Sequence, residues 1–233
     1  MSENIKGKYI MKAFKVDLDS SENQSILKPS ARSSNNQAHQ VDETAKKIDK
    51  LIKNAPYSND DIVLNHNKIK EAFFSPFKPQ LKSAQVFLSH SHADKNKALK
   101  VKGYLESKTN HKVFVDSFFW DYKDDVLNKL AEYDDISRIE DAFTLILRES
   151  LQDMIEKCPY FVFLQSKNSV SNQGLSRITY SAWIYEELKI AHSISESRPI
   201  PMMESMQVFH DISPFLEHLE TITLKKLSQQ INS

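Results

Sequence analysis

Four apolar runs set the frame. Val86-Phe87-Leu88 stops abruptly in Ser89-His90-Ser91-His92, and the Lys-rich segment beyond it places Ala98, Val101 and Leu105 on one helical face. Val113-Phe114-Val115 ends in Asp116-Ser117, and Phe161-Val162-Phe163-Leu164, after Pro159, ends in Ser166-Lys167-Asn168-Ser169. Arg198-Pro199-Ile200-Pro201-Met202-Met203 reads as a fourth strand at a sheet edge, since proline cannot donate ladder bonds. Between these runs the spacing predicts helices. Val126, Leu127 and Leu130, then Ile139, Phe143, Ile146, Leu147, Leu151, Met154 and Ile155, mark two. Thr179 to Ser195 forms another, and Phe215, Leu219, Ile222 and Leu227 a last one. Strands alternating with helices from Gln85 onward predict an α/β fold, a parallel sheet with helices on both faces.

Upstream the pattern changes. Residues 1–36 are polar, Ser- and Asn-rich and poor in periodicity, and little fixed structure is expected there. Within 37–82, Val41, Ala45, Ile48, Leu51 and Ile52 recur at helical spacing; a second helix runs through Ile69 and Phe73, and Pro76 and Pro79 mark a linker. The expected organisation is an unstructured 1–36, a helical N-terminal extension and linker over 37–82, and the α/β domain over 83–233.

Composition narrows the chemistry. Of 233 residues, Lys plus Arg and Asp plus Glu number 31 each, so no net field draws nucleic acid or an anionic membrane. With only Gly7, Gly103 and Gly174, the glycine-rich phosphate loops are absent. Cys158, the single cysteine, excludes an intrachain disulfide and Cys-rich zinc modules; beside an apolar strand it reads as a packed thiol. No signal-peptide pattern and no membrane-length apolar run occurs, so a reduced, cytoplasmic setting is expected.

Ligands of open α/β sheets sit beyond the carboxyl ends of the strands, which directs attention to the polar exits. Phe118-Phe119-Trp120 follows the second strand; these rings either pack under a later helix or form an aromatic loop over a ligand. On the Thr179–Ser195 helix, Trp183 and Glu187 are four residues apart and share a face. One reading is a carboxylate beside an aromatic wall, suited to a cationic ring or a sugar. The other is a core indole and a surface acid. His90-Ser91-His92-Ala93-Asp94-Lys95 nearly reproduces the HxHxDH metal motif of metallo-β-lactamase-fold hydrolases, but Lys95 stands where the last His would bind, and an ammonium repels a cation. No metal is expected.

Val86 to Asp94 also resembles the opening strand of Toll/interleukin-1 receptor (TIR) domains, and Val113-Phe114-Val115-Asp116 the strand before their mobile BB loop. Ser181-Ala182-Trp183-Ile184-Tyr185-Glu186-Glu187-Leu188 is similar to the family's Ser-x-Trp-Cys-x-x-Glu-Leu signature, with Ile184 at the Cys position. The resemblance covers about Gln85 to Met203. It implies a flavodoxin-like fold and an enzyme that cleaves NAD+ as substrate, with no resident cofactor. Glu187 takes the catalytic place, Trp183 walls the cleft, Ser89, His90 and Ser91 lie at the first strand's exit, and Phe118, Phe119 and Trp120 sit in the BB loop. An oxocarbenium-like transition state is stabilised by such a carboxylate. The resemblance also implies self-association and, as in single-domain bacterial members of Thoeris-type antiviral defence, an ADP-ribose-derived signal sensed by a downstream effector. Some TIR domains are non-catalytic scaffolds that act through TIR–TIR association, and that is the alternative.

Overall fold

The computed structural model describes residues 11–28, 41–55, 57–58, 61–62, 65–132, 140–173, 176–196 and 210–232. The elements in chain order are β1 (Lys12–Asp17), α1 (Ser21–Leu27), α2 (Val41–Lys53), β2 (Tyr57–Ser58), β3 (Asp61–Ile62), α3 (His66–Phe74), α4 (Lys78–Leu81), β4 (Ala84–His90), α5 (Lys95–Lys108), β5 (Lys112–Val115) and α6 (Ser117–Leu130). There follow α7 (Glu140–Lys157), β6 (Tyr160–Gln165), β7 (Ser171–Gln173), β8 (Ser176–Thr179), α8 (Ala182–Glu196), β9 (His210–Asp211), α9 (Ser213–Glu217), β10 (Glu220–Thr221) and α10 (Leu224–Gln230).

Among the described residues, five strands form one sheet in the order β10-β1-β6-β4-β5, every neighbouring pair parallel. The chain leaves β4 on one side for β5 and recrosses it for β6, so the topological switch point lies at β4. The β5-β4-β6 portion follows the flavodoxin-like order, and the expected α/β class holds.

Strand parity divides the core. Phe87, Phe114, Phe161 and Phe163 face one layer, where Ile48 of α2, Phe73 of α3, Tyr122 of α6, Phe143 and Leu151 of α7 and Leu188 of α8 meet them. Phe87 lies between Phe114 and Phe161, at centroid distances of 5.8 and 5.9 Å. Val86, Leu88, Val113, Val115, Val162 and Leu164 face the other layer, built by Leu27 of α1, Val101 and Leu105 of α5 and Leu227 of α10. Each buried aromatic or branched side chain contributes about 1.5–3 kcal/mol through burial.

The N-terminal expectation is corrected. Residues 12–17 are β1, and all six pair with β6 in parallel register, Lys12 with Tyr160 through Asp17 with Gln165. The strand was obscured because Lys15 breaks its apolar pattern. Its stem is nonetheless buried: Nζ donates to the Leu216 carbonyl at 3.2 Å, and burial, then Arg177, lowers the amine's pKa. The helices of the supposed extension, α2 and α3, belong to the same core as the sheet. Tyr122 on α6 donates to Thr44 Oγ1 on α2 at 2.6 Å, and burial pushes the phenol up to about 12. Residues 83–233 therefore do not complete the sheet by themselves. The rest of 1–36 other than 11–28, and the strand expected at Arg198 to Met203, lie outside the described residues.

The expected last helix is divided into α9, β10 and α10, with Ile222 N donating to the Lys15 carbonyl as the chain leaves the sheet. Cys158 is a packed thiol, pushed up to about 12 by burial. Among the described residues no helix is long and apolar enough to cross a membrane.

Candidate functional site

Register aligns one row at the carboxyl edge of the sheet. Lys15 pairs with Phe163 and Phe163 with Ser89, while the Asp116 N–H donates to the Leu88 carbonyl at 3.2 Å, placing Asp116 beside Ser89. Ser89 shares the parity of Phe87 and faces α8. That helix starts at Ser181, whose hydroxyl accepts from Ile184 N at 3.2 Å and whose carbonyl accepts from Tyr185 N at 3.1 Å. Nearly two turns beyond Ser181, Glu187 reaches the sheet and accepts a 2.5 Å hydrogen bond from Ser89 Oγ.

Glu187 is 0 % exposed, and its second oxygen, Oε1, has no hydrogen-bond partner. Burial pushes this carboxyl well above the ordinary carboxylate value, and the charge of Asp116 pushes it further, against the opposing effect of the Ser89 and Trp120 donors.

His90, next along β4, is turned to Asp116. Its Nε2 lies 2.8 Å from Asp116 Oδ1, an ion-pair separation at which the ring N–H is not aimed along the lone pair. Its backbone N–H donates to Asp116 Oδ2 at 3.2 Å, and Nδ1 donates to the Ser91 carbonyl at 2.6 Å. Burial works against the charged imidazole, but Asp116, the Ser91 carbonyl and Asp94 outweigh it, so the pKa of His90 is raised. His90 therefore supports a negative Asp116. What the site uses of Ser91 is its carbonyl.

Phe118, Phe119 and Trp120 are not in a loop. Asp116 is in the α region (φ −56°, ψ −36°), so β5 passes into α6 through that single residue, and its carbonyl accepts from the N–H groups of Phe119 and Trp120 at 2.8 and 3.2 Å. A helix needs no connecting loop where the last strand residue already has helical dihedrals. The three rings diverge at the 100° helical step. Phe119 is fully buried against Phe73 and Phe77, Phe118 is half-buried at the sheet edge, and Trp120 leans on Trp183 with centroids 4.1 Å apart and planes at 32°. Trp120 thus stands between Glu187 and the cleft.

That cleft, of about 170 Å³, is lined by His90, His92, Asp116, Trp120, Lys123, Asp124, Ser181 and Trp183 among others. It is smaller than the ~300–1,000 Å³ usual for ligand sites and has room for a fragment of about one ring. Glu187 and Ser89 do not line it. At its rim Lys123 pairs with Asp124 at 2.5 Å.

Asp94 is a structural latch. It accepts from Ser166 Oγ and from Asn168 Nδ2 at 3.1 Å and pairs with Lys97 at 3.1 Å, tying the exit of β4 to that of β6. Burial works against its charge, yet these partners outweigh burial and its pKa is lowered. His90 turns to Asp116 and Asp94 to Ser166, Asn168 and Lys97, and among the described residues no cluster of three or more His, Cys, Asp or Glu is arranged to hold a metal. Lys123 and Asp124 were not expected at the site, and Asp116 and His92 entered only as parts of the strand-exit stretches, without a role of their own. The strand-exit rule that selected Ser89 and His90 applies equally to Asp116, the polar residue that ends the Val113 to Val115 run.

No family model, curated protein or solved structure matches this chain.

Proposed function

We propose that the protein is a TIR-type NAD+ nucleosidase acting at the β4–α8 junction. The observation that carries this reading is the contact between Ser89 and Glu187: two stretches 98 residues apart, each selected by resemblance, meet at a hydrogen bond at the switch point of a parallel sheet. The reaction breaks the bond between nicotinamide nitrogen and ribose C1′. Both electrons of that bond leave with neutral nicotinamide, and water, or a nucleophile within the substrate, attacks the resulting oxocarbenium and gives up a proton. Water yields ADP-ribose, and internal attack a cyclic product.

Trp120 and Trp183 supply an aromatic wall, and Asp116 and Glu187 the carboxyl groups near the developing cation. With Glu187 fully covered, the indole pair has to part before ribose can reach it. In a cell the product serves as a signal for a downstream effector in antiviral defence, or its formation depletes NAD+.

A second reading rests on that same burial. A carboxyl held by Ser89 and closed off from the cleft is also a strut between β4 and α8, as in a scaffold that works through TIR–TIR association. Nicotinamide release from NAD+ distinguishes the two readings. The purified chain is assayed beside Glu187→Ala, at high protein concentration and with infected-cell lysate as a trigger. Release that disappears in the variant supports the nucleosidase. A folded, self-associating protein that releases none under any condition supports the scaffold.

A further inference from the structure

The cleft and the candidate catalytic glutamate are separate places, and the carboxyl that joins them is Asp116. It is 2 % exposed, lines the cleft, and is held by the His90 ring at 2.8 Å and the His90 backbone N–H at 3.2 Å. Glu187 lies behind it. Two carboxyls in contact in a dry site do not both ionise, and the charge settles on the one with cationic and N–H support. Asp116 has both. Glu187 has only the neutral Ser89 and Trp120 donors, and its Oε1, like Asp116 Oδ1, lies outside hydrogen-bond geometry. The cleft is also lined by the His90 and His92 imidazoles and by the Lys123 and Asp124 pair, whose charges largely offset one another.

We propose that Asp116, rather than Glu187, is the anion this site presents to its ligand, and that with the Trp120–Trp183 wall it selects a flat cationic ring over its neutral isostere. This deepens the nucleosidase reading and rests on it for the identity of the natural ligand. A carboxylate beside two indole faces stabilises a ring cation by charge and by cation–π attraction. A neutral ring of the same shape gains only the stacking. Glu187, as a neutral carboxyl, contributes a proton and shape but no charge at rest.

The probes are the N-methylnicotinamide cation and neutral nicotinamide, with binding read as quenching of tryptophan fluorescence at pH 7.5. The expected result for the unmodified protein is preference for the cation by roughly tenfold, about 1.4 kcal/mol. Asp116→Asn abolishes the preference, whereas Glu187→Gln keeps it within twofold while losing any NAD+ cleavage. Loss of the preference in Glu187→Gln, its retention in Asp116→Asn, or failure of the unmodified protein to bind either ring overturns the proposal. Should Asp116→Asn fail to fold, the infrared difference spectrum of the unmodified protein against Glu187→Gln decides. A protonated-carboxyl C=O band at pH 7 supports the assignment, and its absence overturns it. Cation preference in an unmodified protein that releases no nicotinamide from NAD+ under any condition supports Asp116 as the anion and refutes the nucleosidase.

Discussion

Replacing Glu187 by Gln is expected to stabilise the protein at neutral pH, by more as the pH rises. Glu187 is completely buried, accepts from Ser89 and faces Asp116, so its folded-state pKa is raised by burial first and by Asp116 second. For an acid with a raised folded pKa, the native state keeps a proton that the unfolded chain has released. Stability on this account is fully present below the unfolded carboxyl value and falls as pH rises toward the folded one. The slope approaches 1.4 kcal/mol per pH unit inside that window. Gln preserves the shape, accepts from Ser89 through its amide oxygen and offers N–H to Asp116, without the proton. His90, whose pKa is also raised, loses its own contribution as pH rises, but it is present in both proteins and drops out of the difference. Urea unfolding of both proteins at half-unit steps from pH 5 to 8 should therefore show the variant gaining on the parent by up to ~1.4 kcal/mol per unit, roughly 3–6 °C in Tm. Curves that stay parallel, or a parent that gains on the variant as pH rises, would show that Glu187 is charged in the folded protein and refute the reasoning.

Two further outcomes are expected. Asp94→Asn removes the charge from a carboxylate bonded by Ser166, Asn168 and Lys97, and should cost roughly 1.5–3 kcal/mol in urea unfolding at pH 7. Because the folded pKa of Asp94 is lowered, its contribution is present above the unfolded value and is lost as pH falls through the folded one, so the deficit should shrink in acid; a deficit unchanged at pH 3 would count against the latch. Val16→Asp puts an unpaired charge on a residue 0 % exposed in the sheet interior, and should cost several kcal/mol and leave no cooperative thermal transition by circular dichroism. A native-like transition would mean that β1 is dispensable to the sheet.

How much was legible in the chain depended on whether a residue's partners were near in sequence. Val86 to Leu88, Val113 to Val115 and Phe161 to Leu164 announced themselves because strands buried on both faces are uninterrupted apolar runs. The strand β1 has the same surroundings but carries Lys15, whose burial is made tolerable by the Leu216 carbonyl, 201 residues away. No local window contains that information.

The site divides in the same way. Helical spacing placed Trp183 and Glu187 on one face, but whether that face met solvent or the sheet was decided by Ser89, and it met the sheet. The three aromatics after β5 fitted both a loop and a helix; the choice was made by the dihedrals of Asp116, a residue compatible with either. That one conformation places the Asp116 carboxylate against His90, starts α6, and swings Trp120 onto Trp183 above Glu187. The arrangement of the cleft therefore follows from a single strand-to-helix junction, and a change that lengthened this junction into a loop would uncover Glu187 while releasing Asp116 from His90.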